Sequence, residues 1–335
     1  MNRRSAFALA LALIAAPAGA SDNTHFGVTR EFAGPEGSYD YISVDDATGR
    51  VFVGREFGVM RLDPATGATE TLLARAGVAA VLPIPGTRLM LSTNGPLNNA
   101  TLFDRDSGKV ISDIATGQEP DGAYYDVGSH LAFVMNGGSG DISVIDIARA
   151  RPLATIAVGG TPEGATSDGK GRLFVNVEEM PGIVVIDIAR QKIIGRYALA
   201  DCEEPTGIAF DPVSGTLITA CKNGVARLVD AAAGRDRGKL PIGQRADGSV
   251  FDPASRTGFI PCLDGTLTIY RLDARGKARV TQVLRTREGA RTAAYDAARG
   301  KLYLPYATVE RDAEGRYLRA RTNFGVLSIG GADGN

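Results

Sequence analysis

The chain has 335 residues, of which 44% are hydrophobic, 22% are charged and 42 are glycine. This composition is typical of a globular protein rich in turns, and it excludes a disordered or collagen-like chain. The formal net charge of −1 provides no overall field that would attract nucleic acid or an anionic membrane.

The first twenty residues have the order of a secretory signal peptide. Arg3 and Arg4 precede an apolar run over 6–16, and small residues end the segment at Ala20. The run is too short to span a membrane, so we expect cleavage after Ala20 and a mature chain, 21–335, in the periplasm or outside the cell. The arginine pair leaves both the general and the twin-arginine export routes open.

The mature chain repeats an apolar strand closed by an aspartate. These aspartates follow one another at intervals of 41, 42, 41, 43 and 43 residues, at Asp63, Asp104, Asp146, Asp187, Asp230 and Asp273. A seventh copy, 324–329, lacks the aspartate. A second strand aligns independently in all seven units, beginning at Val51, Leu89, Leu131, Leu173, Leu217, Gly258 and Leu302. The period predicts an all-β fold, a seven-bladed β-propeller of four-stranded blades in a single domain over 21–335.

The seventh unit stops after its third strand. The segment from His25 to Phe32 has the composition of a strand and belongs to no unit. We therefore predict that this N-terminal strand becomes the outermost strand of the last blade and closes the ring, which also removes an exposed sheet edge. The repeated aspartates precede turns and are interpreted as turn-stabilising residues.

Units three and four carry a more specific pattern. Phe133-Val134-Met135-Asn136 in one unit is followed by Phe174-Val175-Asn176 in the next. The pattern resembles the YVTN-repeat, or YncE-like, β-propellers, whose consensus reads Tyr-Val-Thr-Asn at this place. The resemblance covers nearly all of 35–330 and is strongest in units three to five. It implies a seven-bladed, mostly exported propeller and says little about chemistry, because functions in the family are heterogeneous.

Propeller ligands usually lie over the central channel, on the face formed by the loops that join the second strand to the third and the fourth strand to the next blade. Eight polar residues on this face are our candidates for ligand binding: Arg55, Asn136, Glu163, Glu178, Glu179, Lys222, Asp264 and Arg291. The loops that enter the blades also bring Tyr39, Asp40, Asp121 and Asp247 to this face. This ring of mixed charge suits a small polar ligand or a cation.

Two metal sites are candidates, and the cofactor is otherwise unknown. Glu178 and Glu179 offer oxygen ligands for a divalent cation such as Ca²⁺, although two adjacent acids usually form a solvated turn. Cys221 and Cys262, at matching places in consecutive blades, offer ligands for a soft metal.

The three cysteines should lie on one face of the propeller. In an oxidising compartment a disulfide is expected, and we favour Cys202 with Cys221 because both belong to one blade. Pairing of either with Cys262 stays open, and one thiol is left over in every case.

Hydrolytic machinery is poorly represented. The chain has 2 histidines; His25 lies in the closing strand and His130 in a turn on the opposite face, so neither is placed to activate a nucleophile. We assign no catalytic residue.

A basic segment over 311–321 contains Tyr317, an arrangement that can stack single-stranded nucleic acid, although an exposed hairpin is the simpler interpretation.

Our leading hypothesis is an exported, monomeric propeller that acts as a ligand-binding or scaffold protein. A small polar ligand or a protein partner would bind at the channel mouth. The alternative is an enzyme of the lactonase, lyase or quinoprotein type that uses channel carboxylates and a bound cation. Binding of single-stranded nucleic acid ranks third.

Overall fold

The computed structural model describes residues 25–314, 317–318 and 321–331. The predicted signal peptide, 1–20, lies outside these residues. Within them, twenty-eight strands form seven four-stranded antiparallel sheets arranged as the blades of a propeller. The predicted fold class and blade number are confirmed.

Blades 1 to 3 each consist of four consecutive strands. Blade 1 contains β2 (Tyr39–Val44), β3 (Val51–Arg55), β4 (Gly58–Leu62) and β5 (Thr69–Ala74). Blade 2 contains β6 (Val78–Pro83), β7 (Leu89–Asn94), β8 (Asn99–Asp104) and β9 (Val110–Ala115), with a short 3-10 helix (Gly95–Leu97) between β7 and β8. Blade 3 contains β10 (Pro120–Asp126), β11 (Leu131–Asn136), β12 (Asp141–Asp146) and β13 (Arg151–Ala157).

Blades 4 to 6 follow the same order. Blade 4 contains β14 (Pro162–Ser167), β15 (Arg172–Val177), β16 (Gly182–Asp187) and β17 (Lys192–Ala198). Blade 5 contains β18 (Pro205–Asp211), β19 (Thr216–Cys221), β20 (Val225–Asp230) and β21 (Asp236–Pro241). Blade 6 contains β22 (Val250–Asp252), β23 (Thr257–Cys262), β24 (Thr266–Leu272) and β25 (Ala278–Arg285).

Blade 7 joins the two ends of the chain. It contains β26 (Ala294–Asp296), β27 (Lys301–Thr308) and β28 (Thr322–Gly331), and its outermost strand is β1 (Phe26–Ala33). Val28 pairs with Ile329 and Phe32 with Val326 in the antiparallel register. The predicted closure by the N-terminal strand is therefore confirmed.

The blades are held together by apolar packing between neighbouring sheets. The first strand of each blade contacts the first strand of the next, and β2 contacts β26 where the ring closes. At this seam Phe32, Tyr39 and Phe324 are buried in one cluster with Met60 and Tyr303. Burying such side chains is the main favourable term in folding, so the seam contributes directly to ring stability.

The repeated aspartates stabilise turns, as the sequence predicts. Oδ1 of Asp104 accepts hydrogen bonds from the backbone N–H and the hydroxyl of Ser107. These bonds lower the pKa of Asp104. Asp146 accepts from the backbone N–H of Arg149 in the same way. Their chemistry is therefore local to the turns between the third and fourth strands.

No helix among the described residues has the length and apolar character needed to cross a membrane.

Deleting β1 should destabilise the ring. Blade 7 would lose its outer strand, and the seam would lose the buried ring of Phe32. We expect the melting temperature of the mature chain, measured by circular dichroism, to fall by about 10 °C or more. The control is Val28→Ala, which trims a side chain that is 46% exposed and keeps the strand. An unchanged melting temperature after the deletion would contradict closure by β1.

Candidate functional site

A bulge in the first strand of the blades aims side chains at the propeller axis. In blades 1 to 5 the pairing of the first strand with the second shifts after its first residue, and the next two residues are left out of the register. β-bulges re-aim side chains in this way and are frequent beside functional sites. The pairings of blades 6 and 7 place Asp247 and Arg291 at the corresponding position.

We call the first residue of each pair the axial ring. Its members, from blade 1 to blade 7, are Asp40, Ala79, Asp121, Glu163, Thr206, Asp247 and Arg291. Four of the seven are carboxylic acids and one is an arginine, so the axis concentrates negative charge in a protein whose overall charge is close to zero.

The second residue of each pair lines a cavity on the axis. These residues are Tyr41, Ala80, Gly122, Gly164, Gly207, Gly248 and Thr292, one from each blade, and the cavity has a volume of about 190 Å³. The glycines let neighbouring blades approach closely, because a Cβ on Gly207 would lie 2.3 Å from the carbonyl carbon of Gly248. The mouth of the channel is thus a polar ring above a small cavity.

Arg291 bridges its two neighbours in the axial ring. Its guanidinium forms ion pairs with Asp247 and, at 3.3 Å, with Asp40. These carboxylates raise the pKa of Arg291, chiefly through Asp247. Thr292 adds a hydrogen bond of 2.9 Å from its hydroxyl to the backbone oxygen of Asp40. This side of the ring is therefore electrostatically satisfied within the chain.

Asp121 and Glu163 form the opposite side of the axial ring and lack such a partner. Among the described residues no ion pair reaches either carboxyl, and the Asp121 carboxyl accepts no hydrogen bond. Glu163 accepts a long hydrogen bond, 3.4 Å, from the hydroxyl of Tyr41. Burial, and then repulsion from neighbouring acids, raises the pKa of Asp121 and of Glu163. Burial likewise raises the pKa of Tyr41.

Lys222 lies on the rim and forms ion pairs with two acids, the predicted candidate Glu178 and Glu204. Its ammonium contacts Glu178 at 2.6 Å and Glu204 at 2.7 Å. Glu179 turns the other way and accepts hydrogen bonds from the backbone N–H and the hydroxyl of Thr161. Burial raises the pKa of Glu178, whereas the Thr161 bonds lower that of Glu179.

The two candidate calcium ligands therefore do not converge. Within the described part of the chain, no group of three or more histidine, cysteine, aspartate or glutamate side chains is arranged to hold a metal ion.

Asn136 and Asp264 form side-chain hydrogen bonds that stabilise the hairpins that contain them. The Asn136 amide donates to Asp141 at 2.7 Å and to Ser143 at 2.9 Å. Asp264 accepts from the backbone N–H groups of Gln244 and Thr266. Asn136 is the last residue of β11, and Asp264 lies in the turn that follows β23. The amide nitrogen of Asn136 is bound to β12, whereas its buried Oδ1 has no hydrogen-bond partner among the described residues.

Arg55 is buried at the seam between blades 7 and 1. Its guanidinium donates to the carbonyl oxygens of Ser38, Pro35 and Gly37 at 2.7–3.1 Å. It also lies 3.4 Å from the centroid of the Phe324 ring. Burial lowers the pKa of Arg55 to about 10. The structure therefore places this candidate in the closure of the ring and away from the axial ring.

Cys202 and Cys221 form a disulfide whose Cα atoms are 5.4 Å apart, the pairing that the sequence favours. Cys262 is a free, buried cysteine, and burial raises the pKa of its thiol to about 12. Because the sulfur of Cys221 is bonded to Cys202, the pair Cys221 and Cys262 does not offer two thiolates to a soft metal.

The insertion between β27 and β28 reaches the channel mouth through Tyr317. Arg311 donates to the Tyr317 hydroxyl at 2.8 Å, and Arg245 lies 5.1 Å from the centre of the same ring. Tyr317, Arg245 and Arg291 line a second cavity of about 210 Å³ beside the axial ring. The described residues of the basic segment thus form part of the rim.

Of the eight predicted candidates, Glu163 and Arg291 belong to the axial ring, and Glu178, Glu179 and Lys222 lie near it on the rim. The sequence places Asp40, Asp121 and Asp247 on this face, and the structure adds these three acids to the candidate site. In blades 3 to 6 one sequence signal identifies the position, a tripeptide that ends in glycine: Pro120-Asp-Gly122, Pro162-Glu-Gly164, Pro205-Thr-Gly207 and Ala246-Asp-Gly248.

Comparison with known proteins shows the fold alone. No protein-family model and no curated protein sequence matches the chain. Among solved structures, a chain of hydrazine synthase from Kuenenia stuttgartiensis is 16% identical with a TM-score of 0.71, and the match covers 91% of this chain and 99% of that one. A chain from the crystal structure of a mitotic checkpoint complex is 14% identical with a TM-score of 0.77, covering 98% and 99%.

Replacing Arg55 should cost more than replacing an exposed arginine. In Arg55→Met, three carbonyl oxygens lose their donor, those of Ser38 and Gly37 in buried bonds, and the contact with Phe324 is altered. We expect the free energy of unfolding in urea to fall by about 3 kcal/mol. Arg149→Met is the control, because its side chain is 68% exposed. A loss below about 1 kcal/mol for Arg55→Met would contradict a structural role.

The raised pKa values at Asp121 and Glu163 predict a pH dependence of stability. Since the folded state holds these protons more tightly than the unfolded state, the free energy of unfolding should decrease as pH rises above about 4, by at most about 1.4 kcal/mol per pH unit for each carboxyl. Urea titrations at pH 5, 6.5 and 8 measure this slope. It should flatten in D121N/E163Q.

The control for this titration is E70Q/D236N, which removes two exposed carboxylates on outer strands. It should keep the wild-type slope. Equal slopes in the wild type and in D121N/E163Q would show that the axial carboxylates do not titrate as described.

Proposed function

We propose that this chain is an exported β-propeller, similar to the YVTN-repeat proteins, that binds a small polar ligand at its channel mouth. The observation that carries the proposal is the axial ring. One position from each blade converges on the axis, and two of its carboxylates, Asp121 and Glu163, have no ion-pair partner among the described residues. Binding sites typically combine a small cavity with a few convergent polar groups and perturbed pKa values.

Export is supported by the order of residues in 1–20 and by the disulfide, which is compatible with an oxidising compartment. The disulfide lies between the loop that enters blade 5 and the end of β19, near the rim. Its place supports a role in holding the rim of the proposed site.

The enzyme alternative has less support. Glu178 and Glu179 point to different partners, and the axial carboxylates lie beside neither of the 2 histidines. Cation-assisted lactonase, lyase or quinoprotein chemistry therefore stays an alternative to ligand binding. For single-stranded nucleic acid, the local support is limited to Tyr317 and the arginines around it.

A panel of small molecules tests the proposed function. Organic cations, neutral polyols, carboxylates and divalent cations are each added to the mature chain, and the melting temperature is measured. We expect at least one class to raise it by about 2 °C or more, through preferential binding to the folded state. Hydrogen exchange should then show protection of the backbone at 121–123 and 163–165.

Ala79→Arg is the control variant for this panel. Ala79 lies in the axial ring between Asp40 and Asp121, so an arginine there would fill the mouth from within the chain. The variant should abolish the stabilisation by the ligand. If no class of molecule raises the melting temperature, or if protection maps outside the channel, the proposed function is wrong.

A further inference from the structure

The axial ring itself shows how a cation can be held between carboxylates. Arg291 lies in the axial ring between blade 6 and blade 1, and its guanidinium pairs with the acids that those two blades contribute. Asp121 and Glu163, from blades 3 and 4, are adjacent in the ring, and no ring position between them supplies a cation. The residues that flank them are Ala79 and Thr206, neither of which carries a positive charge.

We infer that the ligand of the channel mouth is a small organic cation, a primary ammonium or a guanidinium, held by Asp121 and Glu163. The inference rests on the proposed function and narrows it to one class of ligand. The cation would take, on one side of the axis, the place that Arg291 takes on the other.

The acids are partly buried and occupy the axial position of their blades, which separates them from an ordinary exposed acidic cluster. The carboxyl of Asp121 interacts electrostatically with Asp40, Asp247 and Arg291, which come from three other blades. The bulge in β10 brings this carboxyl into the axial ring with them. The hydroxyl of Tyr41 is directed to Glu163 from below.

The cavity beneath the ring limits the size of the cation. Its volume of about 190 Å³ corresponds to roughly six water molecules. It is lined by glycine backbone and by apolar groups that include the side chain of Met135. Polar side chains such as Asp247 and Thr292 also line the cavity, but most of its wall is apolar. A carboxylate pair above such a cavity suits a cationic head with a short alkyl chain.

An organic cation fits better than a metal ion. No set of three or more acidic, cysteine or histidine side chains in the described residues has the geometry of a metal site. A guanidinium or ammonium needs only two or three hydrogen-bond acceptors. On binding, the cation would displace the protons that burial and repulsion favour on Asp121 and Glu163 in the free chain, and the resulting charge-assisted hydrogen bonds are strong. The chain itself holds a guanidinium, that of Arg291, between two other carboxylates of the same ring.

Isosteric probes test the class of ligand on the wild-type chain. Methylguanidinium is compared with its neutral isostere N-methylurea, and propylammonium with propanol and with acetate. The reporter is the ¹³C-labelled methyl group of Met135, which lies beside Gly122 in the cavity, and Met90, buried between blades 1 and 2, is the internal reference. We expect saturable shifts of the Met135 resonance with the two cations only.

Variants locate the interaction. D121N/E163Q should raise the Kd of methylguanidinium at least about 10-fold, whereas E70Q/D236N should leave it within about twofold of the wild type. Equal shifts with N-methylurea, or an unchanged Kd in D121N/E163Q, would overturn the inference. The wild-type comparison of isosteres decides the matter even if D121N/E163Q does not fold.

Failure of this inference and failure of the proposed function give different results. If acetate or propanol shifts the Met135 resonance saturably and the cations do not, the ligand class is wrong and the channel still binds. If no probe shifts Met135 and no class in the wider panel stabilises the chain, both fail.

Discussion

The rest of the structure depends on the pairing of β1 with β28. The two strands lie at opposite ends of the described chain, yet they form one edge of the same blade. Until they pair, blade 7 lacks a strand, and the distance between the first strands of blades 7 and 1 is not fixed. The buried guanidinium of Arg55, bonded to the segment that follows β1 and packed on Phe324 of β28, connects the closed blade to its neighbour. Ring closure is thus a matter of specific polar contacts as well as apolar burial.

Closure brings seven equivalent strands to one axis and concentrates their chemistry there. The bulges turn one side chain per blade inward, and the glycines that follow let the strands approach one another. Carboxylates that are far apart in the sequence are forced into a small enclosed space, where burial and mutual repulsion favour their neutral forms. Arg291 forms direct ion pairs with the acids on one side only, Asp40 and Asp247. The imbalance between the two sides is the basis of the proposed ligand site.

The candidate residues differ in how well a single sequence predicts them. Glu163 and Arg291 are correctly placed near the axis because the loops that enter propeller blades line the channel. Arg55 and Asn136 occupy comparable positions in the repeat, but the Arg55 side chain is hydrogen-bonded at the seam and the Asn136 side chain is hydrogen-bonded within its own hairpin. A register position specifies the end of a strand, whereas the direction of the side chain depends on the neighbouring blade. For the same reason Glu178 and Glu179, adjacent in the sequence, have different partners.

The sequence by itself determines the blade number, the strand order and the closure by the N-terminal strand. Each blade is a local unit of consecutive hairpins, and this unit recurs at a regular spacing along the sequence. It also favours the disulfide, since Cys202 and Cys221 belong to one blade. Only the tertiary structure decides which polar residues share the axis, which of them are neutralised within the chain and where a cavity remains. Those properties arise from contacts among residues 40–291, across all seven blades, and no single repeat contains them.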